Sequence, residues 1–276
     1  MTATTADTAA APAVRRTGFG QLMLSEWTKI RSVRSTVWSL ALLAVVFPGF
    51  AALFVGLGVA QWDQTNEKDR AQIIADPAAV ILGSGTLMGQ LAICVLGVMV
   101  IASEYSTGMI RASLLAVPRR LPMLAAKSLV FSLLVLIVSL VAAFGTFFVG
   151  AAQLESIAPV SLSDPGVLRA VVGSGLYLAV LGLFALAIGA VVRHTAAGIT
   201  SVIGFVLVLA PLAQLLPGKA GYYIHAYLPT EAGHLIGQAT QAPNDLLTPW
   251  QGFGVFCLWA AVLLIAAGIL LKRRDA

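Results

Sequence analysis

Residues 170–217 read AVVGSGLYLAVLGLFALAIGAVVRHTAAGITSVIGFVLVLAPLAQLLP, two uncharged runs separated only by Arg193 and His194. A helix needs about 20 apolar residues, at about 1.5 Å each, to cross about 30 Å of hydrocarbon. Both runs have that length, and the link between them is too short for any domain of its own. The stretch therefore predicts a tight hairpin of two membrane-spanning helices.

The rest of the chain repeats this pattern. It is 59% hydrophobic and 11% charged, whereas soluble domains carry about 25% charged residues. Lipid offers the backbone no hydrogen-bond partners, and a β-barrel would show alternating polarity, so the runs must be helices. We predict an all-α, polytopic membrane protein with six transmembrane helices, at about 37–60, 77–103, 128–154, 170–192, 195–217 and 250–271.

The basic residues are distributed unevenly between the two sets of loops. If the N-terminus is cytoplasmic, 13 of the 17 lysines and arginines lie in inside segments, which then carry a charge of +9 against −4 outside. Short cytoplasmic loops are enriched in Lys and Arg. The pattern predicts that both the N- and C-termini are cytoplasmic.

Two segments precede the first span. Residues 1–17 lack the apolar core of a secretory signal and are predicted to be a disordered tail. Residues 18–36 have helical apolar spacing and predict an amphipathic helix in the membrane interface. Its apolar positions are Phe19, Leu22, Met23, Trp27 and Ile30, and its cations are Lys29, Arg31 and Arg34. The alternative is a basic flank that only sets topology.

The fourth span carries a stripe of small residues, Gly175, Ala179, Gly182 and Gly189. Small residues let two helix backbones approach closely. We interpret the stripe as a helix-packing face, and a translocation path is the alternative.

The longest outside loop covers residues 218–249 and is predicted to form a short interfacial or re-entrant helix pair. Its His225 and Glu231, with His234, match no helix face well, so we predict no metal site. Cys94 and Cys257 fall within spans and indicate core packing rather than a disulfide.

Several chemistries have no motif in this sequence. GxxxxGK[ST], HExxH and GxSxG are all absent, so no nucleotide, zinc-protease or serine-hydrolase site is predicted and the chain is not expected to be an enzyme or to bind a cofactor. The six spans as drawn hold no ionisable residue except cysteine and tyrosine, which disfavours an ion-coupled carrier. A membrane protein without an energy site of its own is expected to use that of a partner.

Residues 103–120, SEYSTGMIRASLLAVPRR, form a long inside segment between the second and third spans. Residues 106–117 have helical apolar spacing, and Pro118 ends the pattern because the residue before proline disfavours the helical region. This segment predicts a cytoplasmic helix able to transmit force from a partner.

The segment 103–120, the opening LMLSEWTKIRSVRSTVW at 22–38 and the ending KRRDA at 272–276 resemble the permease subunits of ABC-2 type exporters of high-GC Gram-positive bacteria. The resemblance implies a homodimer of permeases in the bacterial plasma membrane, with ATP and Mg bound by a separate ATPase subunit. It makes the N-terminal amphipathic segment, with Trp27, Lys29, Arg31 and Arg34, a connecting helix. It makes the segment after span two a coupling helix, with candidates Glu104, Tyr105, Gly108, Arg111, Pro118, Arg119 and Arg120.

Glu104 is the most demanding of these residues, because a carboxylate at the membrane interface is costly unless it is paired. Arg111 or Lys127 could pair with it. The alternative is that Glu104 is solvated and the arginines only enforce topology.

The function expected from the sequence is export of an amphipathic substrate such as a drug, antibiotic or lipid, driven by the partner ATPase. The alternative is a non-transporting membrane scaffold or sensory anchor for a soluble partner. Membrane lipid is an expected partner and nucleic acid is not.

Overall fold

A computed structural model describes residues 18–109, 120–242 and 244–273. These residues form helices and contain no strand. Among these described residues, six helices are long and apolar enough to cross a membrane, which confirms the predicted all-α class with six candidate spans. The predicted tail at 1–17 and most of the predicted coupling helix at 106–117 lie outside the described residues.

In the first half of the chain, the described residues form the helices α1 (Phe19–Ser32), α2 (Arg34–Ala60), α3 (Glu67–Ala75), α4 (Pro77–Ser106) and α5 (Arg120–Leu154). A 3-10 turn, Trp62–Gln64, precedes α3. The Asn66 side chain caps α3 by accepting from the backbone N–H of Asp69, and the Asp76 side chain caps α4 in the same way through Ala79. Such caps satisfy backbone donors that the first helical turn leaves free.

The second half begins with α6 (Val167–Val192), followed by α7 (Thr195–Ile203), a π-helical turn (Gly204–Val208) and α8 (Leu209–Gln214). These last three together form the fifth span. Pro211 explains the π-helical turn, because proline has no N–H to donate to the carbonyl one turn earlier. Then come α9 (Gly218–Ala226), α10 (Pro229–His234), a 3-10 turn (Leu235–Gly237) and α11 (Pro249–Arg273).

Helix α6 is the centre of the bundle, and it packs against α4, α5, α7 and α11. Helix α2 packs against α4 and α5 on one side, and α1 lies across α5 and α2. The α4 and α6 backbones come close at Gly97, where an added Cβ would lie 2.7 Å from the Gly182 carbonyl oxygen. Within this core the Tyr177 hydroxyl donates to Gln90 Oε1 at 3.0 Å.

The small residues of the predicted packing face lie at helix contacts of α6. A Cβ on Gly175 would come within 2.7 Å of Leu140 on α5, and one on Gly182 within 3.1 Å of Phe131 on α5. A Cβ on Gly189 would lie 2.8 Å from Ile101 on α4, and Ala179 is buried. The stripe thus faces two neighbouring helices.

Two helix bounds differ from the expected spans in a way that matters for the site. Helix α4 continues to Ser106 and so includes Glu104, and α5 begins at Arg120 rather than at 128 and so includes Lys127. The segment drawn as a loop over 104–127 is therefore helical at both of its ends.

Candidate functional site

Charged side chains of three helices meet where α4 ends. Glu104 Oε1 accepts from Lys127 Nζ of α5 at 2.8 Å and from Lys29 Nζ of α1 at 3.4 Å. Glu26 of α1 completes the group, because Lys127 Nζ donates to its Oε2 at 2.5 Å and Lys29 Nζ to its Oε1 at 2.7 Å. We call Glu26, Lys29, Glu104 and Lys127 the ionic cluster.

Three of the four side chains of the ionic cluster are buried, although all four residues are charged types. Glu26 and Lys127 are each 2% exposed and Glu104 is 5% exposed. Two carboxylates and two ammonium groups give the cluster no net formal charge. Because a buried charge without a partner is strongly destabilising, the cluster holds α1, α4 and α5 in one relative position.

The sequence of α1 explains how Glu26 reaches the interior. Leu22, Glu26 and Ile30 follow one another at a spacing of four, which places them on one helix face, and all three are buried. Trp27 is exposed on another face, and Phe19 is exposed at the first position of the helix. Helix α1 therefore turns a face with a central carboxylate towards α5.

Lys29 is the most exposed member of the cluster. Burial acts to lower its pKa, but the hydrogen bond to Glu26 and the attraction of Glu104 and Glu26 outweigh this effect, so that the pKa of Lys29 is raised above its usual range. Lys29 therefore stays protonated at neutral pH. A cavity of about 110 Å³ borders the cluster and is lined by Lys29, Thr36, Ser103, Glu104 and Lys127, among others.

A second set of contacts begins at Tyr105, the residue after Glu104. The Arg193 guanidinium lies 5.0 Å from the centre of the Tyr105 ring, a cation–π geometry. Arg193 ends α6 with a left-handed backbone (φ 59°) and donates to the Leu270 carbonyl at 3.3 Å. Arg120 donates to the Leu271 carbonyl at 2.7 Å. Both arginines thus satisfy carbonyls of the last turn of α11, where cations are favoured.

The last turn of α4 is consequently joined to four other helices. Glu104 connects it to α1 and α5, and Tyr105 connects it, through Arg193, to α6 and α11. We call this end of the bundle, with Lys29, Arg120, Lys127, Arg193 and Lys272, the basic end.

The structure describes some of the residues predicted for coupling and not others. Glu104, Tyr105 and Arg120 come together at the basic end. Gly108 follows α4 with a φ of 70°, a left-handed conformation that suits glycine. Arg111, Pro118 and Arg119 lie outside the described residues. Of the two partners predicted for Glu104, Arg111 and Lys127, the structure describes Lys127, which contacts it.

The residues predicted for the interfacial helix also differ in their surroundings. Trp27, Arg31 and Arg34 are exposed, whereas Lys29 belongs to the ionic cluster.

Two residues of the site, Glu26 and Arg193, were not predicted from the sequence. The position of Glu26 between Leu22 and Ile30 on an apolar helix face could have predicted that it is buried. For Arg193, the sequence shows only that it lies in the two-residue link, which does not predict its contacts.

The opposite end of the bundle is closed by the long loop. The Thr240 backbone N–H and hydroxyl donate to Asp76 Oδ2 at 2.8 and 2.7 Å, and Arg169 donates to the Ala239 carbonyl at 2.9 Å. These bonds fix the loop to the ends of α4 and α6. The loop contains the helices α9 and α10, where a helix pair was expected.

The three residues considered for a metal do not converge. His225 lies 3.5 Å from Glu231, but His234 packs edge-on against the Tyr177 ring. Burial lowers the pKa of His234, and Glu231 only partly offsets this. Within the ranges that the structure describes, no three His, Cys, Asp or Glu side chains are grouped as metal ligands would be.

Comparison with known proteins gives a family match. A family model described as ABC-2 family transporter protein matches residues 22–211, which include α1 from Leu22 onward, the first four spans and most of the fifth. The match also contains all four members of the ionic cluster. A comparison with curated proteins finds no match.

Proposed function

Because the chain belongs to the ABC-2 family of transporters, we propose that it is the permease subunit of an export system powered by a separate ATPase subunit. In this proposal two copies of the chain form the path for an amphipathic substrate such as a drug, antibiotic or lipid. The ATPase subunit binds and hydrolyses ATP with Mg. Both termini and the basic end of the bundle face the cytoplasm.

The observation that carries the proposal is the ionic cluster at the end of α4. The segment 106–117, predicted to be the coupling helix, begins at this last turn. A displacement of that segment would act on Glu104 and Tyr105 directly. Since these two residues contact α1, α5 and Arg193, the displacement would reach several spans at once.

The proposal is tested by reconstituting the chain with its ATPase subunit in proteoliposomes. The chain alone should not hydrolyse ATP, and the complex should hydrolyse ATP and move an amphipathic dye such as rhodamine 6G. Glu104→Gln should leave the complex assembled but reduce ATP-driven dye movement about tenfold or more. Glu155→Gln, which changes an exposed carboxylate at the far end of α5, is the matched control.

Three results would overturn the proposal. They are ATP hydrolysis by the purified chain alone, dye movement that follows a proton or sodium gradient without the ATPase, and equal activity of the Glu104 and Glu155 variants. A stable complex that moves none of a panel of amphipathic dyes, antibiotics and lipids would favour a scaffold or sensory anchor instead.

A further inference from the structure

An apolar groove of about 430 Å³ runs between α5 and α11 at the basic end. Its walls include Leu121, Leu124, Leu264, Ile265 and Gly268, and Lys272 lines its outer end. On each helix the lining residues extend over about two turns, which is about 12 Å. The groove is therefore long, narrow and parallel to two spans.

Gly268 keeps the groove open. A Cβ at this position would lie 3.0 Å from Leu121 Cδ2 across the groove, so a larger residue would fill the space. The walls are also accessible, since Ile265 is 63% and Leu121 39% exposed. On two membrane-spanning helices, such exposed walls contact acyl chains.

The charges around the groove favour a negatively charged headgroup. Among the described residues of the basic end, both glutamates are buried in the ionic cluster and paired with lysines. The exposed charges that remain there are all cations, namely Arg31, Arg34, Lys272 and Arg273. A basic residue near an anionic lipid surface contributes about 1 kcal/mol to binding.

We propose that this groove binds an acyl chain of an anionic phospholipid, with the lipid phosphate at Lys272. The lipid would contact α5 and α11 beside the bond between Arg120 and the Leu271 carbonyl. The proposal rests on insertion of α5 and α11 in a membrane and not on export activity, so a failed transport assay would leave it standing.

Native mass spectrometry of the purified chain tests this site. The protein is equilibrated with micelles that contain equal amounts of phosphatidylglycerol and phosphatidylcholine, and the retained lipid is counted. We expect wild type to retain phosphatidylglycerol in preference. Lys272→Gln should reduce that preference about fivefold, which corresponds to the loss of about 1 kcal/mol.

Matched variants separate the groove from the general lipid contact. Gly268→Leu should remove the retained lipid by filling the groove, whereas Gly254→Leu, on the same helix with open space around it, should not. Lys219→Gln controls for the loss of one exposed lysine. Equal retention of both lipids by wild type, equal effects of Lys272→Gln and Lys219→Gln, or loss of a dimer rather than of lipid in Gly268→Leu would overturn the proposal.

Discussion

Lys127 is the residue on which the ionic cluster depends most, because its buried ammonium contacts both carboxylates closely, whereas Lys29 is partly exposed and lies 3.4 Å from Glu104. Without it, Glu26 and Glu104 would share the single cation Lys29. The cluster would then carry a net negative charge in a buried position. The lysine that the sequence offered as one of two possible partners of Glu104 thus contacts two glutamates.

We predict that Lys127→Met lowers the stability of the folded protein by about 3–5 kcal/mol, the range for removing one partner of a buried pair. Adding Glu104→Gln should recover part of this loss, because the remaining pair, Glu26 and Lys29 at 2.7 Å, is balanced in charge. The measurement is the thermal unfolding midpoint in detergent, as a double-mutant cycle. Lys219→Met is the control, and an additive double variant would contradict the coupling between these sites.

Helix elements were predicted well in their apolar middles and less well at their ends. The length of the uncharged runs located the six candidate spans of the described residues. The third run was drawn from 128 because Lys127 is charged, yet the helix begins at Arg120. An uncharged run shows where a helix can lie in lipid without polar partners for its side chains. A helix can extend beyond that run where its charged side chains pair with those of another helix, as Lys127 does with Glu104.

The same reasoning limits what the sequence could say about the site. The spacing of Leu22, Glu26 and Ile30 gives Glu26 an inward position, but no local pattern identifies Lys127 and Glu104 as its neighbours. The contact of Lys127 with Glu26 joins residues 101 positions apart, and that of Lys29 with Glu104 joins residues 75 positions apart. They depend on how α1, α4 and α5 pack, which the sequence alone did not reveal.

The close contact between α4 and α6 predicts that a larger residue at Gly97 destabilises the protein. Gly97→Ala should destabilise the protein by about 1–3 kcal/mol, because the new Cβ would meet the Gly182 carbonyl and the Ala185 Cβ, each at 2.7 Å. Gly83→Ala on the same helix has open space and should be neutral or stabilising. Thermal unfolding in detergent measures both, and equal effects of the two variants would contradict a close contact at Gly97.

At the scale of the whole molecule, the distribution of charge predicts which end of the bundle faces the cytoplasm. Contacts among the ionic cluster, Arg120, Arg193 and the last turn of α11 bring basic residues from distant parts of the chain to one end of the bundle. At the opposite end, Asp76 holds the long loop through Thr240. The positive-inside rule then predicts that the basic end is cytoplasmic.

Cysteine labelling in intact cells tests this orientation. In a background with Cys94 and Cys257 replaced by alanine, Ser163→Cys in the exposed loop after α5 should react with a membrane-impermeant maleimide. Ser32→Cys, exposed at the end of α1, should react only after the cells are permeabilised. Both variants exchange an exposed serine for cysteine, so they differ chiefly in the side of the membrane. The reverse labelling pattern would place the basic end outside and remove the route by which a cytoplasmic ATPase could act on α4.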